Sequence, residues 1–331
     1  MQLVGVDLGA THIAAGVVNR EGKLLSRVSK PTLPERPWLS VVQDIRACVG
    51  EAVEAAGAIL REIEAVGIGV PGNVDDGSGI VFACSNLHWQ RVPLRQALSE
   101  GLPMPIHLAN DANCAALAES IAGVSAHCDS SVFLTLGTGV GGGLVIHGRI
   151  FTGLGGGAGE FGHMVLYPEG LKCNCGRRGC MERYCSATAL VQRARETCQA
   201  FPETDMLRRV DGNPENLDAK IVLECVRAGD PMALRVFSAF TRDLGLAIDN
   251  IIGALSPDMI VLGGGLSGAG ELLLRAVRDA IPRCEMNVPR ILPRIELARL
   301  GNEAGIIGAA LLDRQSIAPV SRACAKEDRY E

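Results

Sequence analysis

Residues 131–146 read SVFLTLGTGVGGGLVI: an apolar run, a turn of glycine and threonine, and a second apolar run. More than a hundred residues earlier, residues 3–18 read LVGVDLGATHIAAGVV, on the same plan. Each apolar run has the length of a strand, and each is closed by glycine. A tight turn of this kind points backbone N–H groups at an anion. Thr11 adds a hydroxyl, and Asp7 is the hard oxygen donor that Mg²⁺ or its water shell prefers. The pattern differs from a Walker loop, which needs Gly-Lys-Ser/Thr at the opening of a helix. Taken singly, either hairpin reads as well as an ordinary turn. Two of them point to two related α/β lobes facing one phosphate chain. Glycine costs a strand stability and adds no packing, so the four glycines of Gly139-Val-Gly-Gly-Gly143 are best explained by close approach of a ligand.

The bulk properties agree with a two-lobed globular protein of the cytoplasm. A chain of 331 residues is long for one core. Its formal net charge of -5 argues against a nucleic-acid-binding face. No apolar stretch is long enough to cross a membrane. The N-terminal MQLVGVDLGA lacks a basic leader and carries Asp7 inside its apolar run, which makes it a poor signal peptide. The 12 cysteines therefore read as reduced thiols rather than a disulfide framework.

Three of those cysteines stand apart. Residues 156–182 read GGAGEFGHMVLYPEGLKCNCGRRGCME. His163, Cys173, Cys175 and Cys180 follow the spacing H-x9-C-x-C-x4-C, one imidazole and three thiols, the donor set of a closed structural zinc site. Buried free cysteines would serve as small hydrophobes, but Lys172, Asn174, Arg177 and Arg178 make this polar, loop-like company. Glu160 and Glu182 bracket the motif and remain free to bind something else.

The rest of the chain supplies a frame. Residues 38–60 are helical by pattern, with Leu39, Val42, Ile45, Val49, Ala52 and Val53 on one face. Residues 65–70 form a buried strand, and Pro71–Asp75 turn out of it. Residues 85–94 read as irregular, with Trp89 as packing. A strand over 105–108 ends at Asn110-Asp111, ahead of an alanine-rich helix over 113–121. Asp111 either caps that helix or lies where ligands gather, at the carboxyl end of a strand. Residues 187–200 and 231–253 read as helices, and 203–218 as a polar surface excursion. Met259–Leu262 is a buried strand running into Gly263-Gly264-Gly265, with a helix at about 270–281; such a junction places bare backbone and a helix N-terminus beside an anion or a nucleobase. A strand lies around Ile295–Leu297, and Asn302–Gly305 open an apolar helix. From Gln315 the tail is polar and expected to fray.

In this order the marks resemble the ROK family of sugar kinases and repressors, within the actin/hexokinase-like ATPase superfamily. They are Gly5-Val-Asp7-Leu-Gly9-Ala-Thr11, Gly67-Ile-Gly69-Val-Pro71-Gly72, Asn110-Asp111, Leu136–Gly143, Gly159-Glu160-Phe-Gly162-His163, the Cys-x-Cys-Gly-x-x-Gly-Cys-x-Glu signature over 173–182, and Gly263–Gly265. The resemblance implies two ribonuclease-H-like α/β lobes. The smaller would comprise residues 1–112 with the C-terminal helix at about 302–314, the larger residues 113–301, and 315–331 would form the tail. It implies Asp111 as general base. Gly72, Asn110, Glu160, His163 and Glu182 would join Asp111 around a sugar. ATP and Mg²⁺ would lie against Asp7, Gly9, Ala10, Thr11, Gly137, Thr138, Gly139, Gly263, Gly264 and Gly265. His163 would serve both zinc and sugar. Family members form dimers or tetramers. Repressors of the family carry a helix-turn-helix ahead of the first loop, for which a loop beginning at Gly5 leaves no room. Kinases for glucose, N-acetylglucosamine, N-acetylmannosamine, fructose and allose share these motifs. The short His163–Cys173 spacing is similar to glucokinases, while Asn110–Cys114 and Ile295–Leu300 pull toward the acetylhexosamine enzymes.

Overall fold

The computed structural model describes residues 2–282 and 291–315. The first hairpin is β1 (Gln2–Leu8) and β2 (His12–Asn19), antiparallel from Gln2 opposite Asn19 to Leu8 opposite Ile13. β3 (Val28–Pro31) extends it on one side. On the other, β4 (Ile63–Val70) lies parallel to β1, and β8 (Ile106–Asn110) parallel to β4. Between these two strands the chain builds a small antiparallel sheet of β5 (Asn73–Asp75), β6 (Ile80–Cys84) and β7 (Trp89–Val92).

The second hairpin repeats the first. β9 (Ser130–Leu136) and β10 (Val140–Ile146) pair antiparallel, with the short β11 (Arg149–Ile150) outside β10. β12 (Met259–Gly263) runs parallel to β9 and β13 (Arg294–Leu297) parallel to β12. The orders β3-β2-β1-β4-β8 and β11-β10-β9-β12-β13 are the same arrangement made twice. Parallel strands buried on both faces need near-continuous apolar runs, and β12 is buried at every residue.

The helices are α1 (Trp38–Ala55), α2 (Leu94–Ser99), α3 (Asp111–Ile121), α4 (Glu182–Cys185), α5 (Ala187–Ala200), α6 (Asp205–Arg208), α7 (Ala219–Ala228), α8 (Pro231–Leu255), α9 (Glu271–Ala280) and α10 (Ala304–Ala310). One core joins α1 to the first sheet; another packs α5, α7, α8 and α9 on the second. A third cluster lies at the junction, where Cys114 and Leu117 of α3 meet Ile306 and Ile307 of α10. Burying each large side chain there contributes roughly 1.5–3 kcal/mol.

The junction is close because glycine permits it. A Cβ on Gly5 would lie 1.8 Å from the Ile306 carbonyl oxygen, one on Gly67 1.8 Å from that of Ala309, and one on Gly308 1.7 Å from that of Cys114. Backbone thus meets backbone between β1, β4, α3 and α10.

Several local expectations change. Leu39 is 54% exposed; Val41 and Cys48 join the buried face of α1 instead. That helix stops at Ala55, and Gly57 follows at φ +67°, a conformation that favours glycine. The supposed turn and irregular segment across 71–94 carry the three-stranded sheet, and Trp89 is packed within it at 4% exposure. The polar excursion over 203–218 drives Met206, Val210 and Leu217 into the core. Gln315, expected to be frayed, accepts from the Ile150 N–H at 2.9 Å and donates to the Gly148 carbonyl at 3.1 Å. Residues 316–331 lie outside the described residues. Among the described residues no helix is long and apolar enough to cross a membrane.

Candidate active site

The carboxyl ends of the strands carry Asp7, Asn110-Asp111 and the glycine runs. Asp7 is paired with Gly69 in the register of β1 and β4, and Val70 with Asn110 in that of β4 and β8. In the second sheet, Gly137–Gly139 follow β9, and Gly263 ends β12 with Gly264 and Gly265 directly after it.

Each glycine turn is closed by the N–H of its first glycine, to a carbonyl three residues on in the first and two residues on in the second. The Gly9 N–H donates to the His12 carbonyl at 2.9 Å, and the Gly137 N–H to the Gly139 carbonyl at 3.0 Å. The first glycine of each turn therefore spends its amide on the turn itself. The N–H groups of Ala10, Thr11, Thr138 and Gly139 take no part in those bonds. The second turn is fastened from behind: the Ala187 N–H donates to the Gly137 carbonyl at 2.8 Å and the Thr188 hydroxyl to the Thr138 carbonyl at 2.7 Å.

At the head of α3 the sequence offered two readings of Asp111, and capping belongs to its neighbour. The Asn110 side chain accepts from the N–H groups of Ala112 and Asn113 at 2.9 and 3.3 Å. Its amide donates to the Gly72 carbonyl at 3.1 Å, which leaves one amide hydrogen for a ligand. Gly72 sits at φ +144°, where a Cβ would lie 2.3 Å from the Ala83 carbonyl oxygen. Relieved of capping, Asp111 is held up to about 6, first by burial and then by the Asp7 and Glu160 carboxylates, with the Ala112 N–H opposing. Burial likewise raises Asp7, against the pull of Arg27. Asp7 lies under α10, where a Cβ on Gly305 would be 2.6 Å from its carboxyl carbon.

The segment 159–163 docks on the second turn. A Cβ on Gly159 would meet the Gly142 carbonyl oxygen at 3.0 Å, and one on Gly162 that of Val140 at 2.1 Å. Glu160 and His163 are thereby placed beside Gly139–Gly143. Glu182 arrives from the other side, its Oε2 accepting from the Val140 N–H at 3.1 Å. A Cβ on Gly139 would sit 2.3 Å from that oxygen.

His163, Cys173, Cys175 and Cys180 do converge, with one donor atom from each within 4.8 Å of all the others. His163 Nδ1 lies 3.7 Å from Cys173 Sγ, and the Cys175 and Cys180 sulfurs are 3.6 Å apart. A tetrahedron with bonds of about 2.3 Å has edges of about 3.8 Å, so this donor set fits zinc. The knuckle is shaped by Gly176 at φ +90° and Gly179 at φ +75°; a Cβ on Gly179 would lie 1.6 Å from the Tyr167 carbonyl oxygen.

α9 begins at Glu271, as the sequence predicts, but a 3₁₀ turn over Gly265–Ala269 separates its N-terminus from the Gly263–Gly265 run. Gly264 and Gly265 are nonetheless exposed, and Gly264, at φ +80°, lies against Leu136 beside the second glycine turn. The sequence reading also missed the frame behind the knuckle. The Tyr167 hydroxyl donates to the buried Asp243 at 2.8 Å, Arg193 pairs with the same carboxylate, and the Tyr184 hydroxyl accepts from the Leu171 N–H at 2.7 Å. Those contacts span up to 76 residues and leave no local signal.

A mixed α/β fold with this doubled sheet, glycine turns at its strand ends, is that of the actin-like ATPase class. The ROK family model matches residues 3–316, and the chain belongs to the ROK family. It is 36% identical over 320 residues to the glucokinase of Thermotoga maritima, covering 96% of this chain and 98% of that protein. Identity to the glucokinase of Streptomyces coelicolor is 37% over 317 residues, 94% of this chain and 97% of that one. The crystal structure of a ROK family glucokinase from Streptomyces griseus in complex with glucose and AMPPNP superposes with a TM-score of 0.81 at 37% identity, over 95% of this chain and all of that one.

Proposed function

We propose that the protein transfers the terminal phosphoryl group of ATP to O6 of a hexose, with glucose as substrate. The observation that carries the reading is Asp111: a carboxylate at the joint between the two sheets, poised at about 6 and not used as a helix cap. A base of that strength is ionised at neutral pH yet accepts a proton better than an ordinary carboxylate, and general bases of this kind contribute on the order of 10²–10⁴-fold.

In this reading Asp111 takes the proton from the sugar O6 hydroxyl. Asn110 offers its remaining amide hydrogen, and Gly72, Glu160, His163 and Glu182 hold the other hydroxyls. The N–H groups of Ala10, Thr11, Thr138 and Gly139, with the Thr11 hydroxyl, receive the phosphates. Gly263–Gly265 leave room for the nucleoside. Asp7 orients Mg²⁺ or its water shell, and that ion supplies neutralisation of phosphate charge when bound. Zinc on His163, Cys173, Cys175 and Cys180 is structural: all four positions are protein atoms, so none is left for chemistry. Its part is to hold Glu160, His163 and Glu182 in register. The lobes are residues 1–112 with 302–314, and 113–301. None of the ten cysteines of the described residues is in a disulfide, which suits a reducing cytoplasm, and a homodimer or homotetramer without nucleic acid completes the proposal.

The test is a panel of glucose, N-acetylglucosamine, N-acetylmannosamine, fructose and allose with ATP, compared by kcat/KM. Glucose should lead. Absence of turnover on every sugar would overturn the kinase reading, and an acetylhexosamine in the lead would overturn the choice of substrate.

A further inference from the structure

Glu119 is a charged side chain for which the site has no use, yet it is 0% exposed. Burying a carboxyl group is costly unless its oxygens are fully hydrogen-bonded. Here they are. Oε1 accepts from the N–H groups of Arg299 and Leu300, each at 2.8 Å, and Oε2 from that of Val124 at 2.8 Å. Arg299 answers in the opposite direction, its guanidinium donating to the carbonyls of Ala122 and Gly123 at 2.6 and 3.1 Å, where α3 ends. Gly123 has to be glycine, since a Cβ there would lie 1.9 Å from Glu119 Oε2.

The partners lie at the two places where the chain passes between the sheets. The first crossing runs from β8 through α3 to β9. The second runs from β13 through residues 298–303 to α10, which lies back on β1 and β4. Glu119 stands in the last turn of α3 and reaches the second crossing 180 residues away in sequence. The opposite end of α3 is Asp111.

We propose that Glu119 fastens the two crossings into one hinge, so that movement of the sheets relative to each other on ligand binding pivots at Glu119 and Arg299. Glu119 is then a positioning residue: it sets how Asp111 on the first sheet meets the glycine turns of the second. The proposal rests on the kinase reading only for its kinetic arm.

Hydrogen exchange of the whole protein, with and without glucose plus a non-hydrolysable ATP analogue, tests the pivot directly. The amides of Val124, Arg299 and Leu300 should be protected in both states and unchanged by ligand, while those of residues 9–11, 72–75 and 137–139 slow. Exchange at 299–300 that responds to ligand as strongly as the turns do would overturn the proposal. Arg299→Ala removes half of the clasp and leaves the Glu119 bonds available; Glu119→Gln turns one acceptor into a donor facing a backbone N–H. Each should raise KM for glucose at least fivefold and lower kcat with it, as expected when the closed state is less populated, with bound zinc unchanged. Either variant showing faster exchange at 299–300 but kcat and KM within twofold of wild type would make the clasp merely structural and sink the idea. If Glu119→Gln does not fold, Arg299→Ala decides. If the wild type phosphorylates no sugar, the functional reading fails, and the exchange pattern with the ATP analogue alone still decides the pivot.

Discussion

Asp111→Asn should make the protein more stable and nearly inactive. The amide has the shape of the carboxyl group, and its Oδ1 keeps the acceptor position that the Ala112 N–H uses at 2.8 Å. Only the charge is lost. The carboxyl group moves from its ordinary 3.8 to about 6 on folding. That shift of about two units corresponds to about 3 kcal/mol at about 1.4 kcal/mol per unit. The sign follows from linkage: a raised value means that the native state binds the proton more tightly than the unfolded chain, so the associated stability is complete below 3.8 and is lost as pH rises through about 6. At pH 7.5 the wild type carries the whole cost and the asparagine variant none of it. Thermal melts of the apoproteins should place the variant a few degrees higher, on a scale of roughly 2–4 °C per kcal/mol for chains of 150–250 residues and less for a longer one. Near pH 4.5 the advantage should shrink to about 1 kcal/mol, and it should vanish only below the ordinary 3.8. The same substitution removes the base, so kcat should fall by about 10²–10⁴. A variant no more stable than wild type at pH 7.5, an advantage that persists undiminished at acid pH, or turnover within tenfold of wild type would refute the reasoning.

Four other outcomes are expected. The pH profile of kcat/KM should show an acid limb near the Asp111 value of about 6, with roughly a tenfold loss between pH 7 and pH 5; a profile flat across that range would exclude Asp111 as the base. Purified protein should contain one zinc per chain by metal analysis, and Cys175→Ser should release it and weaken sugar binding measured by calorimetry, because Glu160, His163 and Glu182 lose their frame. Gly139→Ala should cost activity more than stability: its Cβ would displace the end of the Glu182 side chain, not backbone, so a normal KM for sugar in a normally stable variant would contradict the placement of Glu182. Asp76 raises His107, which bridges Asp76 and Asp313 at 3.6 Å each. The linked stability should be present below the ordinary His value and be lost as pH rises through the raised one, and His107→Gln should abolish that slope in urea melts at pH 5.5 and 8.5.

What was legible in the sequence was what the chain writes locally. The two hairpins showed because apolar runs of strand length flank glycines that a strand would otherwise avoid, and the knuckle showed because one histidine and three cysteines lie close together in polar company, a donor set that fits a metal. The three-stranded sheet β5–β7 did not show. Their strands are three to five residues long, too short for alternation to register, and His88 and Arg91 adopt positive φ without the glycine that marks such turns. Leu39 looked like core because periodicity reports a face and not what covers it. Asn110 and Asp111 could not be told apart, since both are good caps by type. Glu119 sits in an alanine-rich helix with nothing nearby in sequence to show that its partners are Arg299 and Leu300.

The unseen contacts are those that make the site work as a unit. Burial raises both Asp7 and Asp111, and the Asp7 carboxylate raises Asp111 further; such a pair persists only if the surrounding backbone cannot yield. Gly5, Gly67 and Gly308 supply that resistance by bringing β1, β4 and α3 into backbone contact with α10, a geometry that no side chain could relax. The joint between the sheets is consequently stiff where the carboxylates sit and fastened at its far end by Glu119. The glycine turns proposed to receive phosphate and the glycines that close the joint are alike in composition and opposite in effect: the N–H groups of Ala10, Thr11, Thr138 and Gly139 are not spent on the turns, whereas Gly5, Gly67 and Gly308 leave no space at all. A substitution at the second set should therefore be felt in folding, and one at the first set in turnover, which is why counting glycines alone does not separate binding from architecture.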